Sequence, residues 1–255
     1  MASQTTAHDV PTTRAGLSSA RVLVVGLGGL SCPALRVLVQ SGVTHLTLVD
    51  DDRVDASNLQ RQTLYTAVDE GELKTEAAAR ALSALAPEGA ALTIDKIVDR
   101  FYPDNALLLL AGHDLVLEGA DNFATKFLVA DAAKLARVPC VQAGAVRFSG
   151  WALASLPDQG ACVRCIFEDI PRGAPETCAV AGVIGPVVGA VGALQAALTI
   201  QVLLGKTSAA SVLYSYDALA GRLRKHAMPR RTDCALCSGQ ILDLSIDRYS
   251  SECAA

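Results

Sequence analysis

The fold is decided by residues 21–31, which read RVLVVGLGGLS. The continuous apolar run from Val22 to Val25 predicts a short buried strand, and the glycines after it predict a tight turn. Residues 31–41 predict a helix, and Leu46 to Val49 predict a second strand that ends at Asp50. A strand, a helix and a strand in this order form a right-handed βαβ unit, which implies a parallel sheet.

The same alternation continues along the chain. It predicts helices over 74–86, 104–111 and 123–136, and strands over 91–98, 114–118 and 139–143. A further strand over 151–156 and antiparallel strands over 212–216 and 223–226 follow. We therefore expect an α/β fold: a Rossmann-like, doubly wound, mostly parallel sheet with a C-terminal antiparallel extension.

The chain divides into four parts by composition. Residues 1–20 are polar and small, and we expect a flexible N-terminal arm there. Residues 21–150 form the Rossmann-like, nucleotide-binding part. Residues 151–240 hold a crossover segment, an apolar helix, the antiparallel strands and a cysteine site within the same domain. Residues 241–255 form a C-terminal tail.

Composition excludes several classes of protein. Of the 255 residues, 51% are hydrophobic and 19% are charged, which excludes intrinsic disorder. The net charge of −4 leaves no basic surplus to neutralise phosphates, so we expect no nucleic-acid partner. The first twenty residues contain no apolar core of signal-peptide length, which predicts a cytoplasmic protein.

The uncharged apolar stretch 179–205 is long enough to span a bilayer. A membrane span here would place one cysteine pair before it and another after it on opposite sides of the membrane. The glycines at its start also allow close backbone approach to a neighbouring element. We therefore expect a buried helix at a subunit or domain interface, and no membrane partner.

The glycine turn is suited to binding phosphate. Backbone N–H groups of such a turn, together with the helix N-terminus behind them, attract phosphate oxygens. Asp50, at the end of the next strand, can accept hydrogen bonds from ribose hydroxyls. Taken alone, the motif fits NAD, FAD or ATP, and it also fits a tight turn without a ligand. Its third glycine is replaced by Ser31.

Further polar residues follow the predicted strands. The run from Ser57 to Gln62 contains Arg61, and Lys74 starts the next helix; both cations can balance triphosphate charge, or can lie exposed to solvent. Asp121-Asn122 follows the strand 114–118 at the edge where doubly wound folds bind ligands. This pair can hold Mg²⁺ through the carboxylate, or can cap the following helix.

The cysteines give the strongest signal from the residues themselves. Cys162-x-x-Cys165 and Cys234-x-x-Cys237 suit a structural, tetrahedral Zn²⁺ site, with two redox or disulfide pairs as the alternative. Cys178 lies in the crossover segment and is either an exposed nucleophile or a bystander.

In this order, the motifs resemble the ThiF/MoeB/HesA family, bacterial relatives of ubiquitin-activating enzymes. The likeness covers roughly residues 20–238. The matching residues are Gly26 to Leu30, Asp50, Asp52, Ser57 to Gln62, Lys74, Asp121-Asn122, both cysteine pairs, Thr177-Cys178 leading into Ala181 to Val183, Gly185 to Gly189 and Gly192 to Ala196.

The resemblance implies an adenylyltransferase that uses ATP and Mg²⁺. Its substrate would be the C-terminal glycine of a small ubiquitin-like sulfur-carrier protein ending in Gly-Gly, and pyrophosphate would be released before thiocarboxylate formation. The residues implied to surround ATP are Gly28, Gly29, Asp50, Asp52, Ser57, Asn58, Leu59, Gln60, Arg61, Lys74, Asp121 and Asn122.

Individual catalytic roles are also implied by the resemblance. Arg61 would face the phosphates of a partner subunit in a homodimer, with the helix after Gly185 at the dimer interface. Asp121 would associate with Mg²⁺, Lys74 would counter phosphate charge, and Cys178 would take the activated carrier. A separate protein would donate the sulfur.

The sequence departs from the family pattern at three places. Ser31 replaces a glycine, but the preceding glycines remain, so we expect the turn still to bind phosphate. Lys126 stands where an arginine is common, and the usual arginine-containing N-terminal run is missing, with Arg14 as the only arginine before Arg21. Two alternatives stay open: an NAD(P)-dependent oxidoreductase, and a non-catalytic, zinc-clamped module that binds a ubiquitin-like protein.

Overall fold

The computed structural model describes residues 16–170 and 182–249, and within them eight strands form a single sheet. The strands are β1 (Arg21–Val25), β2 (His45–Val49), β3 (Thr93–Ile97), β4 (Leu115–Glu118), β5 (Cys140–Val146), β6 (Ser149–Ser155), β7 (Val212–Asp217) and β8 (Arg222–Ala227). Their order across the sheet is β3-β2-β1-β4-β5-β6-β7-β8. Pairing is parallel from β3 to β5 and antiparallel from β5 to β8, which confirms the predicted fold class.

Six helices of the described residues cover or flank the sheet. They are α1 (Ser31–Ser41), α2 (Lys74–Leu85), α3 (Ala106–Leu110), α4 (Phe123–Leu135), α5 (Val163–Phe167) and α6 (Gly185–Leu203). The chain runs outward from β1 through β2 to β3 and then returns to place β4 on the other side of β1. This reversal creates a crevice at the carboxyl ends of β1 and β4, where open α/β sheets bind ligands.

Strand β1 is buried on both faces, which explains its continuous apolar run. Val22 and Val24 pack into a first hydrophobic cluster with α1, α2 and α6. Leu23 and Val25 pack into a second cluster with α3, α4 and the cysteine pairs. The sheet is therefore a middle layer between two apolar layers, and this fixes the position of the glycine turn that follows β1.

Helix α6 is long and apolar enough, by length and composition, to cross a membrane, and 44% of its most apolar window is buried inside the protein. Its buried residues pack on the sheet beside α1. Gln195 lies on this buried side and donates from Nε2 to the Glu118 carbonyl oxygen at 2.6 Å. A polar side chain with this partner ties α6 to the end of β4.

The chain beyond Cys237 also packs on the second apolar layer. Ile241 and Tyr249 are buried. The Tyr249 hydroxyl donates to Asp131 Oδ2 at 2.7 Å, and Asp131 binds Arg164 through Nε and Nη2, both at 2.8 Å. Since Arg164 lies between Cys162 and Cys165, this network joins α4, the first cysteine pair and the C-terminal segment.

Candidate functional site

A cavity of about 810 Å³ opens at the carboxyl ends of the strands. It lies at the switch point between β1 and β4, as the fold requires. The structure brings many of the predicted site residues into its lining: Gly28, Gly29, Asp50, Asp52, Arg61, Lys74, Asp121 and Asn122. Residues that are far apart in sequence thus share one concave surface.

Ser31, which replaces the third glycine of the motif, forms a hydrogen bond across the turn. The side chain is fully buried, and its Oγ donates to the Gly26 carbonyl oxygen at 2.5 Å. Gly119 provides the space, because a Cβ at that position would collide with Ser31 Oγ. Ser31 therefore rigidifies the turn, and Gly28 and Gly29 remain in the cavity wall.

Asp50 is fixed by backbone donors from the loops that follow β1 and β2. Its Oδ2 accepts from Leu27 N at 2.6 Å and its Oδ1 from Asp52 N at 2.8 Å. Lys74 Nζ lies 2.7 Å from Asp52 Oδ2 and 3.9 Å from Asp50 Oδ1. Burial raises the pKa of Asp50 above its ordinary value, and the Lys74 charge opposes this shift.

Arg61 lies at the cavity of its own chain. Its Nη2 donates to Asn58 Oδ1 at 2.6 Å, so a neutral amide orients the guanidinium. A role for Arg61 at the phosphates of its own subunit therefore needs no second chain. The neighbouring predicted residues Ser57, Asn58, Leu59 and Gln60 are described by the structure but lie outside the cavity lining.

Asp121 and Asn122 have different structural roles. Asn122 caps α4, because its Oδ1 accepts from Thr125 N at 2.8 Å. Asp121 is exposed and faces the cavity. Its carboxylate makes no hydrogen bond or ion pair to any residue in the described part of the chain. Asp121 is thus available to a cation, whereas Asn122 is occupied by the helix terminus.

A buried ion pair, which was not predicted from the sequence, lies behind the loop that carries Asp121. Glu118 is fully buried, and both of its carboxylate oxygens lie 3.0 Å from Lys126 Nζ. Lys126 also donates to the Ala143 carbonyl oxygen at 2.6 Å, and Glu118 Oε1 accepts from Ala120 N at 2.6 Å. The pair fixes the loop that carries Asp121. A charged residue ending an otherwise apolar strand was the available signal.

Replacing Lys126 with Met is expected to lower the free energy of unfolding by about 3 kcal/mol, because it leaves Glu118 buried without its counter-charge. Urea denaturation at pH 7 measures this. The Lys126→Arg variant keeps the charge and should lose much less. Burial raises the pKa of Glu118, so the deficit of Lys126→Met should shrink as the pH falls and the carboxyl group takes up a proton. A pH-independent deficit would contradict the assignment.

The four cysteines of the two pairs form one cluster. Adjacent Sγ atoms are 3.5 to 3.8 Å apart. A tetrahedral zinc ion with bonds of about 2.3 Å separates its sulfurs by about 3.8 Å, so the cluster fits this metal. Hydrogen bonding from the Cys162 thiol lowers the pKa of Cys165 and of Cys234 and raises the pKa of Cys162 itself, as expected for four thiols held in mutual contact. The cluster lies outside the cavity lining, in a closed position suited to a structural role.

Cys178 lies outside the described residues. The chain leaves the described part after Ile170 and re-enters it at Gly182. Phe167 before this gap and Val183 after it both line the cavity. The described chain on either side of this gap therefore lies at the cavity.

The sequence matches the ThiF family over residues 6–236. This chain belongs to the ThiF family. Over 93% of its length it is 39% identical to the sulfur carrier protein adenylyltransferase of Thermus thermophilus, of which the match covers 89%. It is also 36% identical, over 96% of its length, to the SAMP-activating enzyme E1 of Haloferax volcanii, of which the match covers 90%. The family predicted from the motifs is thereby confirmed.

This ThiF-family chain is also similar to part of a longer protein and to a solved structure. It is 40% identical to the adenylyltransferase and sulfurtransferase MOCS3 of Mus musculus over 94% of its own length, but spans only 52% of that protein. Its fold is similar to that of E. coli MccB in a crystal structure with ATP. The TM-score is 0.76 at 21% identity, over 89% of this chain and 69% of MccB. At this identity the likeness shows the fold alone.

Proposed function

We propose that this protein uses ATP to adenylate the C-terminal glycine of a small ubiquitin-like sulfur-carrier protein ending in Gly-Gly. Pyrophosphate leaves, and the carrier is prepared for thiocarboxylate formation. The relatives confirm the enzyme class, an adenylyltransferase. The observation that carries the finer proposal is the cavity itself, where a glycine turn, Arg61, Lys74 and Asp121 line one space.

ATP fits the donors and acceptors of the cavity. Asp50 accepts from the ribose hydroxyls, and the backbone N–H groups at Gly28 and Gly29 face the phosphates. Arg61 and Lys74 counter the phosphate charge. Asp121 would hold Mg²⁺, since it lines the cavity and its carboxylate has no partner among residues 16–170 and 182–249. Mg²⁺ when bound neutralises phosphate oxygens, and zinc at the cysteine cluster would be structural.

The reaction joins two anions, so its barrier is electrostatic. A carboxylate oxygen of the carrier's terminal glycine attacks the α-phosphorus. The bond from this phosphorus to the β-phosphate bridging oxygen breaks, and pyrophosphate takes the electron pair. Arg61 and Lys74 reduce the repulsion between the carboxylate and the triphosphate, and they stabilise the charge that develops on the leaving group. The cavity supplies the orientation that makes the encounter productive.

Cys178 is proposed to accept the activated carrier, with a separate protein as the sulfur donor. Cys178 is five residues from Val183 in the cavity lining. An extended chain of that length spans up to about 18 Å, a distance that permits the proposed contact between the thiol and the adenylate. Attack by the thiolate on the acyl carbon would release AMP and form a thioester.

A homodimer is proposed through α6. One side of this helix packs on the sheet, and the opposite side exposes Pro186, Ala190 and Ala193. Small side chains on an uncharged helix allow a second helix to approach closely. Analytical ultracentrifugation tests this proposal.

The function is tested by incubating the protein with ATP, Mg²⁺ and carriers ending in Gly-Gly, followed by intact mass measurement. We expect a mass increase of the carrier by one adenylate, and pyrophosphate release that depends on the carrier. Tight NAD(P) binding without pyrophosphate release would favour an oxidoreductase instead. Carrier binding without ATP binding would favour a non-catalytic module.

Lowering the pH is expected to weaken ATP binding through Asp50. The pKa of this carboxyl is raised by burial, so it takes up a proton at a higher pH than an ordinary Asp and then accepts ribose hydrogen bonds less well. Below that pKa, the dissociation constant should rise by up to tenfold for each pH unit. Calorimetric titration of ATP from pH 7.5 to 5 measures this. The Asp50→Asn variant should bind more weakly and lose this pH dependence; an unchanged dependence would assign it to another group.

A further inference from the structure

The cavity is larger than the part assigned to the nucleotide. The proposed nucleotide-binding residues lie on the loops that follow β1, β2 and β4. Asp99 and Arg100, which follow β3, add to this charged half. The other half includes Ala145, Val146, Trp151, Phe167 and Leu213, which lie on β5, β6, α5 and β7. The described lining residues on β5, β6, β7 and α5 carry no charge. The adjacent Lys126 of α4 is neutralised by Glu118.

Three aromatic side chains, here called the aromatic wall, bound this second half: Phe123, Trp151 and Phe167. The ring centroids of Phe123 and Phe167 are 5.4 Å apart in an edge-on arrangement. Those of Trp151 and Phe167 are 5.6 Å apart. Contacts of this kind between rings are favourable and restrict ring motion. The wall therefore extends continuously from the Asp121 loop to β6.

Trp151 is the fixed centre of the aromatic wall. It stands directly opposite Gly144 in the β5–β6 register, and a Cβ at Gly144 would lie 2.5 Å from the indole Nε1. The indole thus folds over the glycine and uses the space that a side chain would need. Lys126 Nζ lies 5.9 Å from the ring centroid on the buried side. Because the ring is braced in this way, its exposed edge defines a rigid boundary of the cavity.

The position of the substrate follows from the geometry of the reaction. Phosphoryl transfer places the attacking and leaving oxygens roughly in line. A carboxylate must therefore approach the α-phosphate from the side opposite the pyrophosphate. With the nucleotide in the charged half, the half bounded by the aromatic wall is the part of the described cavity left for a protein tail.

The geometry points to Trp151 as the residue that determines the specificity for the carrier's tail, an inference that rests on the proposed function. The indole edge limits the width of the half of the cavity that is bounded by the aromatic wall. A tail whose last residue is glycine fits there, and a tail whose last residue has a side chain does not. The apolar wall offers nothing to a charged side chain. A Gly-Gly terminus, with no side chain to place, fits this restriction.

Because Trp151 is the only tryptophan in the sequence, its fluorescence reports on this half of the cavity alone. Synthetic octapeptides ending in Gly-Gly, Gly-Ala and Gly-Val serve as probes, in the presence of a non-hydrolysable ATP analogue. We expect the Gly-Gly peptide to change the emission, and the other two to bind at least tenfold more weakly. Equal binding of all three peptides would overturn the inference.

Variants complete the test with whichever Gly-Gly carrier the wild-type protein adenylates. The wild type should prefer Gly-Gly over Gly-Ala by roughly 10- to 200-fold in kcat/KM, and Trp151→Ala should reduce this preference at least tenfold. Trp151→Phe should be intermediate. Phe148→Ala is the matched control, since Phe148 is 40% exposed and lies outside the cavity lining. The ATP dissociation constant should stay unchanged in every variant.

The outcomes separate the inference from the proposed function. If adenylation proceeds and Trp151→Ala discriminates as sharply as the wild type, the inference fails while the function stands. If no carrier is adenylated but the Gly-Gly peptide still binds selectively beside Trp151, the function fails while the tail site stands.

Discussion

Removal of zinc with a strong chelator is expected to lower the Tm of this protein by about 10 °C or more. The four sulfurs are 3.5 to 3.8 Å apart, a spacing that holds a tetrahedral ion without rearrangement. Structural zinc contributes roughly 10 kcal/mol or more of apparent binding free energy in small domains. Even about half of this amount, in a chain of this size, corresponds to a Tm shift of at least about 10 °C. Differential scanning calorimetry with and without the chelator measures it.

The location of the cluster explains why the loss should be large. Cys162 and Cys165 flank Arg164, which binds the buried Asp131 of α4. The second pair lies in the segment that continues to Tyr249, and Tyr249 binds the same Asp131. Without the metal, two chain segments that are joined mainly through this cluster and network separate more easily from α4.

Substitutions provide the controls for the metal prediction. Cys162→Ser should reduce bound zinc from one equivalent to near zero and lower the Tm as chelation does. Cys140→Ala is the matched control, because Cys140 is a buried cysteine in the same hydrophobic cluster but not among the four. It should keep one zinc equivalent. Zinc-loaded protein that gives up its metal to the chelator and keeps the same Tm would disprove the structural role.

Much of this architecture was predictable because its signals are local. The apolar run before Gly26 predicts β1, and its burial on both faces gives the physical reason. The cysteine pairs predict a cluster because two residues of spacing place both thiols at one turn. Arg61 was singled out from the polar run of Ser57 to Gln62, whereas its contact with Asn58 is seen only in the structure.

The aromatic wall could not be predicted in this way. Trp151 acquires its position from the strand register that pairs it with Gly144, and from contact with Phe167 on α5. The Glu118–Lys126 pair depends similarly on the packing of α4 against β4 and β5. Register and helix packing are set by the whole sheet, so a single sequence does not reveal which residues they bring together.

The composition of helix α6 alone fits both a membrane span and a buried helix. Its composition satisfies the length and hydropathy of a membrane span. Gln195, however, lies inside the fold and donates to carbonyl oxygens of Glu118 and Val141. A glutamine with two backbone partners on neighbouring strands has a defined place in the sheet layer. The helix therefore contributes to holding the end of β4, from which the Asp121 loop begins.

Replacing Arg61 with Ala is expected to lower the rate of carrier-dependent ATP–pyrophosphate exchange by about 10³-fold or more. Arg61 lines the cavity, and its guanidinium is proposed to contact phosphate oxygens there and to stabilise charge on the leaving pyrophosphate. Arg61→Lys should recover only part of the rate, because a single ammonium does not reproduce the bidentate fork. Exchange of labelled pyrophosphate into ATP provides the measurement.

Arg137→Ala controls for the loss of a positive charge in general. Arg137 pairs with Asp158 on the surface, with both side chains about 70% exposed, away from the cavity. The Arg137→Ala variant should exchange pyrophosphate at the wild-type rate, and its free energy of unfolding should fall by less than about 1 kcal/mol. An Arg61→Ala enzyme that exchanges at the wild-type rate with saturating ATP would remove Arg61 from the chemical step.

The effect of Arg61 should exceed that of Lys74 because of the charges around each. The Lys74 ammonium lies 2.7 Å from Asp52 and 3.9 Å from Asp50, so two carboxylates already compensate its charge. Arg61 is bound by the neutral amide of Asn58, so its full charge remains available to phosphate. We therefore expect a smaller loss of kcat for Lys74→Ala than for Arg61→Ala. Removing the Lys74 counter-charge with Asp52→Asn should strengthen ATP binding, and weaker binding in that variant would show that Asp52 itself contacts the nucleotide or its metal.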